Sequence, residues 1–236
     1  MNTSIYHISL LDLLWACIPV VIMIVIYIRW TDDKLTLFYA LTRMLIQLIL
    51  IGYVLTYIFT SDSPYLVILI LSVMLLAASI ISLRPMQKKD TSLYMKAFIS
   101  ITIGGLFTLV MIIFGVLNLN PWYEAKFLIP LAGMIFANSM NAVSIAAERY
   151  ESEMERNSTY VEARATAYTA SLIPIINALF AVGLVSLPGM MTGQILSGVD
   201  PLIAVRYQMM VMLMILGSAG ISVAIYLVLL KKDIFR

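Results

Sequence analysis

The chain alternates between long apolar runs and short polar segments. A helix of about 20 apolar residues is long enough to cross the hydrocarbon core of a bilayer. Runs of this kind occupy seven stretches, namely residues 8–29, 35–59, 64–84, 94–117, 124–147, 170–187 and 202–230. The pattern therefore predicts an all-α polytopic membrane protein with seven transmembrane helices.

One apolar stretch, residues 184–201, is interrupted by two prolines and three glycines in the sequence LVSLPGMMTGQILSGVDP. Inside a bilayer such a break is tolerated only where protein or a water-filled cavity satisfies the freed backbone groups. We therefore expect a functional cavity here, with the break as an outer gate. Asp200 also precedes Pro201, which is the pattern of a helix N-cap. The candidate gate residues are Pro188, Gly189, Gly193 and Asp200.

Basic residues are distributed unevenly between the two sides that seven spans define. The loops after spans one, three and five and the C-terminal tail hold Arg29, Lys34, Arg43, Arg84, Lys88, Lys89, Lys96, Arg149, Arg156, Arg164, Lys231, Lys232 and Arg236. The other side holds only Lys126 and Arg206. Because Lys and Arg accumulate on the cytoplasmic side, the N-terminus is predicted outside and the C-terminus in the cytoplasm.

Composition indicates an integral membrane protein. Its expected location is the cell (plasma or inner) membrane. The 236 residues are 62% hydrophobic and 12% charged, with a mean hydropathy of +0.98, whereas soluble domains carry about 25% charged residues. The chain is expected to form a single transmembrane domain over 1–236 in the lipid bilayer. The net charge of +2 does not favour nucleic-acid binding, and the single cysteine, Cys17, excludes an intramolecular disulfide.

The longest polar segment runs from Glu148 to Arg164 and mixes acidic and basic residues with helix-forming composition. It predicts a cytoplasmic helical loop at about 148–169 that extends the fifth span. One interpretation is a solvated face. The other is a docking surface for a cytoplasmic partner, with Glu151, Glu155, Glu162 and Arg164 as candidate contacts.

Polar residues inside the spans are the candidates for a substrate pathway. Asn138 and Asn141 are three positions apart and so share one face of the fifth span, with Ser139 and Ser144 nearby. Asn177 follows Pro174 in the sixth span, and Gln47 lies one turn after Arg43 in the second. These side chains either line a cavity or hydrogen-bond between helices. The tentative pathway set is Asn138, Asn141, Asn177 and Gln47.

Catalytic motifs are missing from the sequence. It contains no HExxH, GxSxG or GxxxxGK[ST] pattern, so enzymatic activity is not expected and ATP hydrolysis would need a separate subunit. The 16 methionines favour adaptable packing over a site for soft metal ions. The residues define no metal site and suggest no cofactor bound by this chain.

Three segments carry a resemblance to a known family: RMLIQLILIG (43–52), AGMIFANSMNAVS (132–144) and GLVSLPGMMTGQILSGVDPLIAVRYQ (183–208). They resemble the permease subunit of the bacterial iron-export ABC transporter family, the FetB type. That family also includes the plant half-transporters associated with aluminium tolerance. The resemblance implies a seven-span permease, working as a homodimer with a separate cytoplasmic ATP-binding subunit that consumes the ATP.

One segment departs from the family pattern. Between the fifth and sixth spans, members carry a longer segment with a glycine, which is expected to dock on the ATPase. Here residues 148–170 are shorter and contain no glycine. Three alternatives therefore stay open: a non-transporting scaffold or sensor, a permease for a nucleotide-sugar-like substrate, and an ion-driven carrier. An ion-driven carrier usually relays protons or sodium through buried carboxylates, and the predicted spans lack them.

Overall fold

The structure is a computed structural model that describes residues 9, 11–31, 34–58, 63–86 and 90–234, without the side chains of 34, 57 and 232–234. Ser61 and Asp62, between the second and third predicted spans, lie outside the described residues. So do the predicted cytoplasmic cations Lys88, Lys89 and Arg236. Every long element in the described ranges is a helix, and the only bridge there joins Val182 to Ser186. The all-α prediction is therefore confirmed.

The helices follow one another with short connections. They are α1 (Asp12–Trp30), α2 (Lys34–Ile58), α3 (Pro64–Ser82), α4 (Thr91–Val110), α5 (Ala125–Glu155), α6 (Tyr160–Ala181), α7 (Gly189–Leu196) and α8 (Pro201–Ile234). A π-helical segment, Met111–Leu117, continues α4. Prolines begin α3 and α8, where the missing amide costs no hydrogen bond.

The chain divides into two compact units, Met1–Ser61 and Asp62–Arg236. The first unit contains α1 and α2, whose residues are mostly exposed, and the second contains all the other helices. The core lies in the second unit, where α8 packs mainly against α4 and α5. The expectation of a single transmembrane domain over 1–236 stays a prediction.

Six helices in the described part of the chain are long and apolar enough to cross a membrane: α1, α2, α3, α4 with its π-helical continuation, α5 and α8. The stretch predicted as a span at 170–187 differs from the structure at both ends. Its helix, α6, begins ten residues earlier at Tyr160 and stops at Ala181, before the bend at 182–188. Because its first half is polar, α6 falls short of the apolar character of the other six.

Contacts at both ends of the second unit define the directions of three helices. The starts of α5 and α8 meet at a pocket that includes Lys126 and Tyr207. Near the other end, the Tyr160 hydroxyl of α6 donates to the Leu227 carbonyl of α8 at 3.1 Å. Helices α5 and α8 therefore run in the same direction, and α6 returns between their ends in the opposite direction.

Helices α4 and α8 approach each other at backbone distance. A Cβ atom built on Gly104 would meet the Oγ of Ser222, and it would lie 2.8 Å from the Ser222 backbone nitrogen. The neighbouring Gly105 faces α5, because a Cβ there would approach the Phe136 ring within 2.9 Å. Two adjacent glycines thus let α4 contact two helices at backbone distance, which is the usual role of small residues in membrane bundles.

Candidate functional site

A polar groove lies between α5 and α6. Its volume is about 310 Å³, and its lining residues are Asn138, Asn141, Ala142, Ser144, Ile145, Ser171, Pro174 and Ile175. Asn138 donates a hydrogen bond from its amide nitrogen to the Met134 carbonyl at 2.8 Å. The structure therefore brings the two predicted asparagines of α5 together in one groove.

The other two predicted pathway residues lie elsewhere. Asn177 is exposed on α6, three residues beyond Pro174, and is not part of the groove lining. Gln47 is exposed on α2, in the first unit. Ser171 and Pro174 line the groove without having been singled out for it in the sequence. Pro174 was detectable because a proline inside an apolar run frees a backbone carbonyl.

A second, more apolar pocket of about 570 Å³ lies beneath α7. It is lined by Leu117, Lys126, Phe127, Pro130, Leu131, Met134, Met190, Gln194, Val199, Tyr207 and Met210. The segment predicted as a gate thus covers a pocket between the first turns of α5 and α8. Within the described residues, the Oε1 atom of Gln194 is buried and has no hydrogen-bond partner.

The predicted gate residues divide into different structural roles. Asp200 caps α8, since its Oδ1 accepts from the Leu202 amide at 2.9 Å, as its position before a proline indicated. Pro188 is the residue immediately before α7. Gly189 and Gly193 lie within α7, and an added Cβ on either would meet no atom within 4 Å.

Left-handed backbone occurs on both sides of α7 rather than inside it. Gly183 has a φ of +83° and Gly198 a φ of +88°. Residues with a side chain rarely adopt these values, so both positions favour glycine. The bends that orient α7 are therefore at Gly183, which precedes it, and Gly198, which follows it.

The polar segment between α5 and α6 forms a tight helical turn. Helix α5 continues to Glu155, as its composition predicted, and Asn157 then adopts a left-handed φ of 61°. The Ser158 amide donates to the Glu153 carbonyl at 3.2 Å, and the Asn157 amide donates to the Met154 carbonyl at 3.1 Å. This is a Schellman motif, in which asparagine replaces the usual glycine.

The four predicted docking residues lie on the helices that flank this turn, in different surroundings. Glu155 is exposed and Glu151 is partly buried. The Arg164 guanidinium lies 5.5 Å from the centroid of the Tyr160 ring. Glu162 caps α6, because its carboxylate accepts from the Thr159 amide at 3.0 Å and from the Thr159 hydroxyl at 2.8 Å. Local structure is therefore sufficient to explain Glu162.

Tyr160 joins three helices at this end of the bundle, and sequence reasoning missed it. Its ring packs edge-on against Tyr150 of α5 at 6.3 Å between centroids. The Lys231 ammonium of α8 lies 5.9 Å from the centroid of the same ring, which the Arg164 guanidinium also approaches. Together with the Tyr160–Leu227 hydrogen bond, these contacts tie the end of α5, the start of α6 and the end of α8 into a single cluster.

The hydrogen bonds between Thr159 and Glu162 lower the pKa of the Glu162 carboxyl below its ordinary value of 4.5. A lowered folded-state pKa means that the cap contributes stability above pH 4.5 and loses it as pH falls through the folded value. We expect Thr159→Ala to cost about 1 kcal/mol of helix stability at pH 7. Thermal unfolding of the purified wild type and variant at pH 7 and at pH 3.5 measures the stability difference and its dependence on pH.

Glu162→Gln supplies the matched control for the cap. The amide can still accept hydrogen bonds but does not ionise, so this variant should lose the pH-dependent part of the stability difference. An unchanged acid response in Glu162→Gln would show that other carboxylates cause it.

Comparison with known proteins places the chain in a family. Residues 10–235 match the family described as Uncharacterised protein family (UPF0014). UPF0014 membrane protein slr1647 of Synechocystis sp. is 35% identical over 212 residues, covering 83% of this chain and 82% of the relative. Probable iron export permease protein FetB of Escherichia coli is 37% identical over 199 residues, covering 78% and 75%.

A plant relative extends the range of the family. Protein ALUMINUM SENSITIVE 3 of Arabidopsis thaliana is 30% identical over 199 residues, covering 78% of this chain and 71% of the relative. No solved structure matches the chain significantly. The predicted resemblance to the iron-export permease family is confirmed by these relatives. With its apolar helices, the chain is a multi-pass membrane protein that belongs to the UPF0014 family.

Proposed function

We propose that this protein is the membrane-spanning permease subunit of an ABC-type transporter that exports iron or another metal ion. The observation that carries the proposal is the 37% identity to the probable iron export permease over three quarters of that protein. ATP would be bound and hydrolysed by a separate cytoplasmic subunit, and the chain itself would have no enzymatic activity. Two copies of the chain would form the membrane part in the cell membrane.

The directions of α5, α6 and α8 support seven crossings. Helix α6 has 22 residues, of which the 17 after Arg164 are uncharged and span about 26 Å, close to the thickness of the hydrocarbon core. It starts beside the ends of α5 and α8 and leads back toward the pocket at their starts. A seventh crossing restores the odd number of spans that the distribution of Lys and Arg requires, with the N-terminus outside and the C-terminus in the cytoplasm.

The same topology gives each site a role in transport. The turn between α5 and α6 would be cytoplasmic, and Glu151, Glu155 and Arg164 on the two flanking helices would contact the ATPase. The groove with Asn138 and Asn141 would lie along the pathway. The α7 segment would close the outer end, and the backbone change when it opens would be shared between the bends at Gly183 and Gly198 and the glycines inside α7, Gly189 and Gly193.

Purification of the tagged chain from its native membrane in mild detergent tests the proposal. We expect mass spectrometry to detect a stoichiometric ATP-binding subunit, and iron to stimulate ATP hydrolysis by the complex. Inverted membrane vesicles containing both subunits should then accumulate iron only when ATP is present. Removal of the ATPase should abolish both activities.

A chain that purifies alone, under conditions that preserve other ABC complexes, would contradict the proposal. The non-transporting scaffold or sensor would then be favoured, since the turn between the helices has only four residues between Glu155 and Tyr160. An intact complex that hydrolyses ATP without any response to metal would instead support a permease for an organic substrate such as a nucleotide-sugar.

A further inference from the structure

Polar residues form a stripe along one face of α5. Asn138, Asn141, Ser144 and Glu148 follow one another at intervals of three, three and four residues, so they share a face of the helix. The first three line the groove against α6. Glu148 is exposed two residues before Tyr150, which packs against Tyr160. The stripe therefore runs from the middle of α5 to the end of the bundle marked by the tyrosine cluster, here called the charged end.

The stripe is not satisfied by the rest of the described chain. Asn138 uses its amide nitrogen on its own helix, but the side chains of Asn141 and Ser144 make no hydrogen bond within the described residues. Asn141 is also exposed. An amide facing hydrocarbon without a partner is strongly unfavourable, so this face does not contact lipid tails.

The opposite wall of the groove contains a proline inside a helix. Pro174 lines the groove on α6, and proline has no amide hydrogen to donate to the carbonyl of Ala170 one turn earlier. Such carbonyls are tolerated at membrane depth where they are buried in protein or face water. A groove of about 310 Å³ has room for several water molecules, each of which occupies about 30 Å³ in the liquid.

We propose that this stripe lines a water-filled vestibule that opens at the charged end and reaches Asn141, with Glu148 at its mouth. Water satisfies the amides, the hydroxyls and the carbonyl freed by Pro174. Glu148 is the one charged side chain of the stripe, so its carboxylate favours cations over anions at the mouth, while Arg164 and Lys231 lie on the tyrosine cluster at the same end of the bundle. The vestibule deepens the proposed function, because it identifies the side from which the transported ion enters and the sign of its charge. It rests on the proposed function only for the identity of that ion.

Cysteine accessibility tests the vestibule without measuring transport. The background is Cys17→Ser, which removes the only native thiol. Asn141→Cys and Ser144→Cys probe the stripe, and Val73→Cys is the matched control, because Val73 is exposed at the middle of α3 among apolar neighbours. Inverted membrane vesicles are treated with the charged, membrane-impermeant thiol reagents MTSET, a cation, and MTSES, an anion.

We expect Asn141→Cys and Ser144→Cys to react with MTSET roughly tenfold faster than Val73→Cys, because a thiol needs water to ionise and react. All three should react fully once the vesicles are dissolved in SDS, which confirms that each thiol is present. In right-side-out vesicles both stripe positions should react slowly.

The mouth is tested by adding Glu148→Gln to the Asn141→Cys variant. Glu148 lies about 10 Å along the helix from Asn141, so its removal should lower the ratio of MTSET to MTSES reaction rates by about two- to fourfold. Stripe positions that react no faster than Val73→Cys would overturn the vestibule, and a spontaneous disulfide between two Asn141→Cys copies would show that a second chain covers the stripe instead. An unchanged rate ratio in Glu148→Gln would overturn the position of the mouth.

These outcomes are independent of the proposed transport activity. Labelling of the stripe in a protein that moves no metal would leave the vestibule standing and reject the iron-export proposal. Iron export without labelling of the stripe would reject the vestibule and leave the iron-export proposal standing.

Discussion

Replacing Gly104 with valine should prevent α4 from packing against α8 and leave little folded protein. A Cβ at this position would meet the Ser222 hydroxyl, would lie 2.8 Å from the Ser222 backbone nitrogen and 3.1 Å from the Ser218 carbonyl oxygen. Two of these three atoms belong to the backbone of α8, so rotation of a side chain does not relieve the overlap. The helices must separate, and the buried surface around Ala219 and Val223 is then lost.

The expected cost is large for a single substitution. Overpacking a core by one group typically costs about 1–3 kcal/mol, and valine adds three carbon atoms against backbone, so we expect at least the upper end of that range. Unfolding temperature and the yield of monodisperse protein in mild detergent measure the effect. Gly217→Val is the control, because a Cβ at Gly217 meets no atom within 4 Å.

Equal stability of Gly104→Val and Gly217→Val would contradict the close approach of α4 and α8. The comparison is well matched, since both substitutions place the same β-branched residue in a transmembrane helix. Their helix-propensity effects therefore cancel, and only the contact with α8 differs.

Apolar runs predicted most helices because turn residues interrupt both the apolar pattern and the helix, although α5 continues eight residues beyond its run into polar sequence. The prediction of 64–84 differs from α3 by only two residues at one end, since Pro64 marks the start. The sixth run misplaced the ends of α6 because hydropathy reports burial in lipid and not where a helix begins. The start of α6 was nevertheless present in the sequence as Thr159 followed three residues later by Glu162, the capping-box pattern.

Glycine roles could be predicted only in part. The break at 184–201 was evident, but the sequence does not distinguish a helical glycine from one with a positive φ. Gly189 and Gly193 are helical, whereas Gly183 and Gly198 provide the bends. That difference depends on how the chain returns from α6 to α8, which is tertiary information.

The candidate site, too, could be predicted where it depends on local sequence and not where it depends on contacts between helices. Asn138 and Asn141 were placed together by helical spacing alone, and the groove contains both. Spacing says nothing about which helix faces another, so the sequence did not predict that Ser171 and Pro174 form the opposite wall while Asn177 does not. Tyr160 was missed because its partners, Tyr150 and Lys231, lie on two other helices.

The double substitution Gly189→Leu and Gly193→Leu should abolish transport while leaving membrane insertion intact. Both positions face away from the pocket beneath α7, which is lined instead by Met190 and Gln194. Because an added Cβ meets no atom within 4 Å at either glycine, the leucines should not disturb the folded state by steric overlap. Their effect should come from the backbone, since each glycine makes the helix about 1 kcal/mol easier to unwind than alanine.

A gate that must change its backbone conformation is therefore held in one state by the substituted helix. Gly189→Ala with Gly193→Ala is the matched control, because alanine stabilises α7 to a similar extent with much less added volume. Loss of transport in both double variants would identify backbone stiffening as the cause, and loss in the leucine variant alone would identify bulk on the outer face of α7. Normal ATP-dependent transport by the leucine variant, with normal amounts of protein in the membrane, would show that α7 is not the gate.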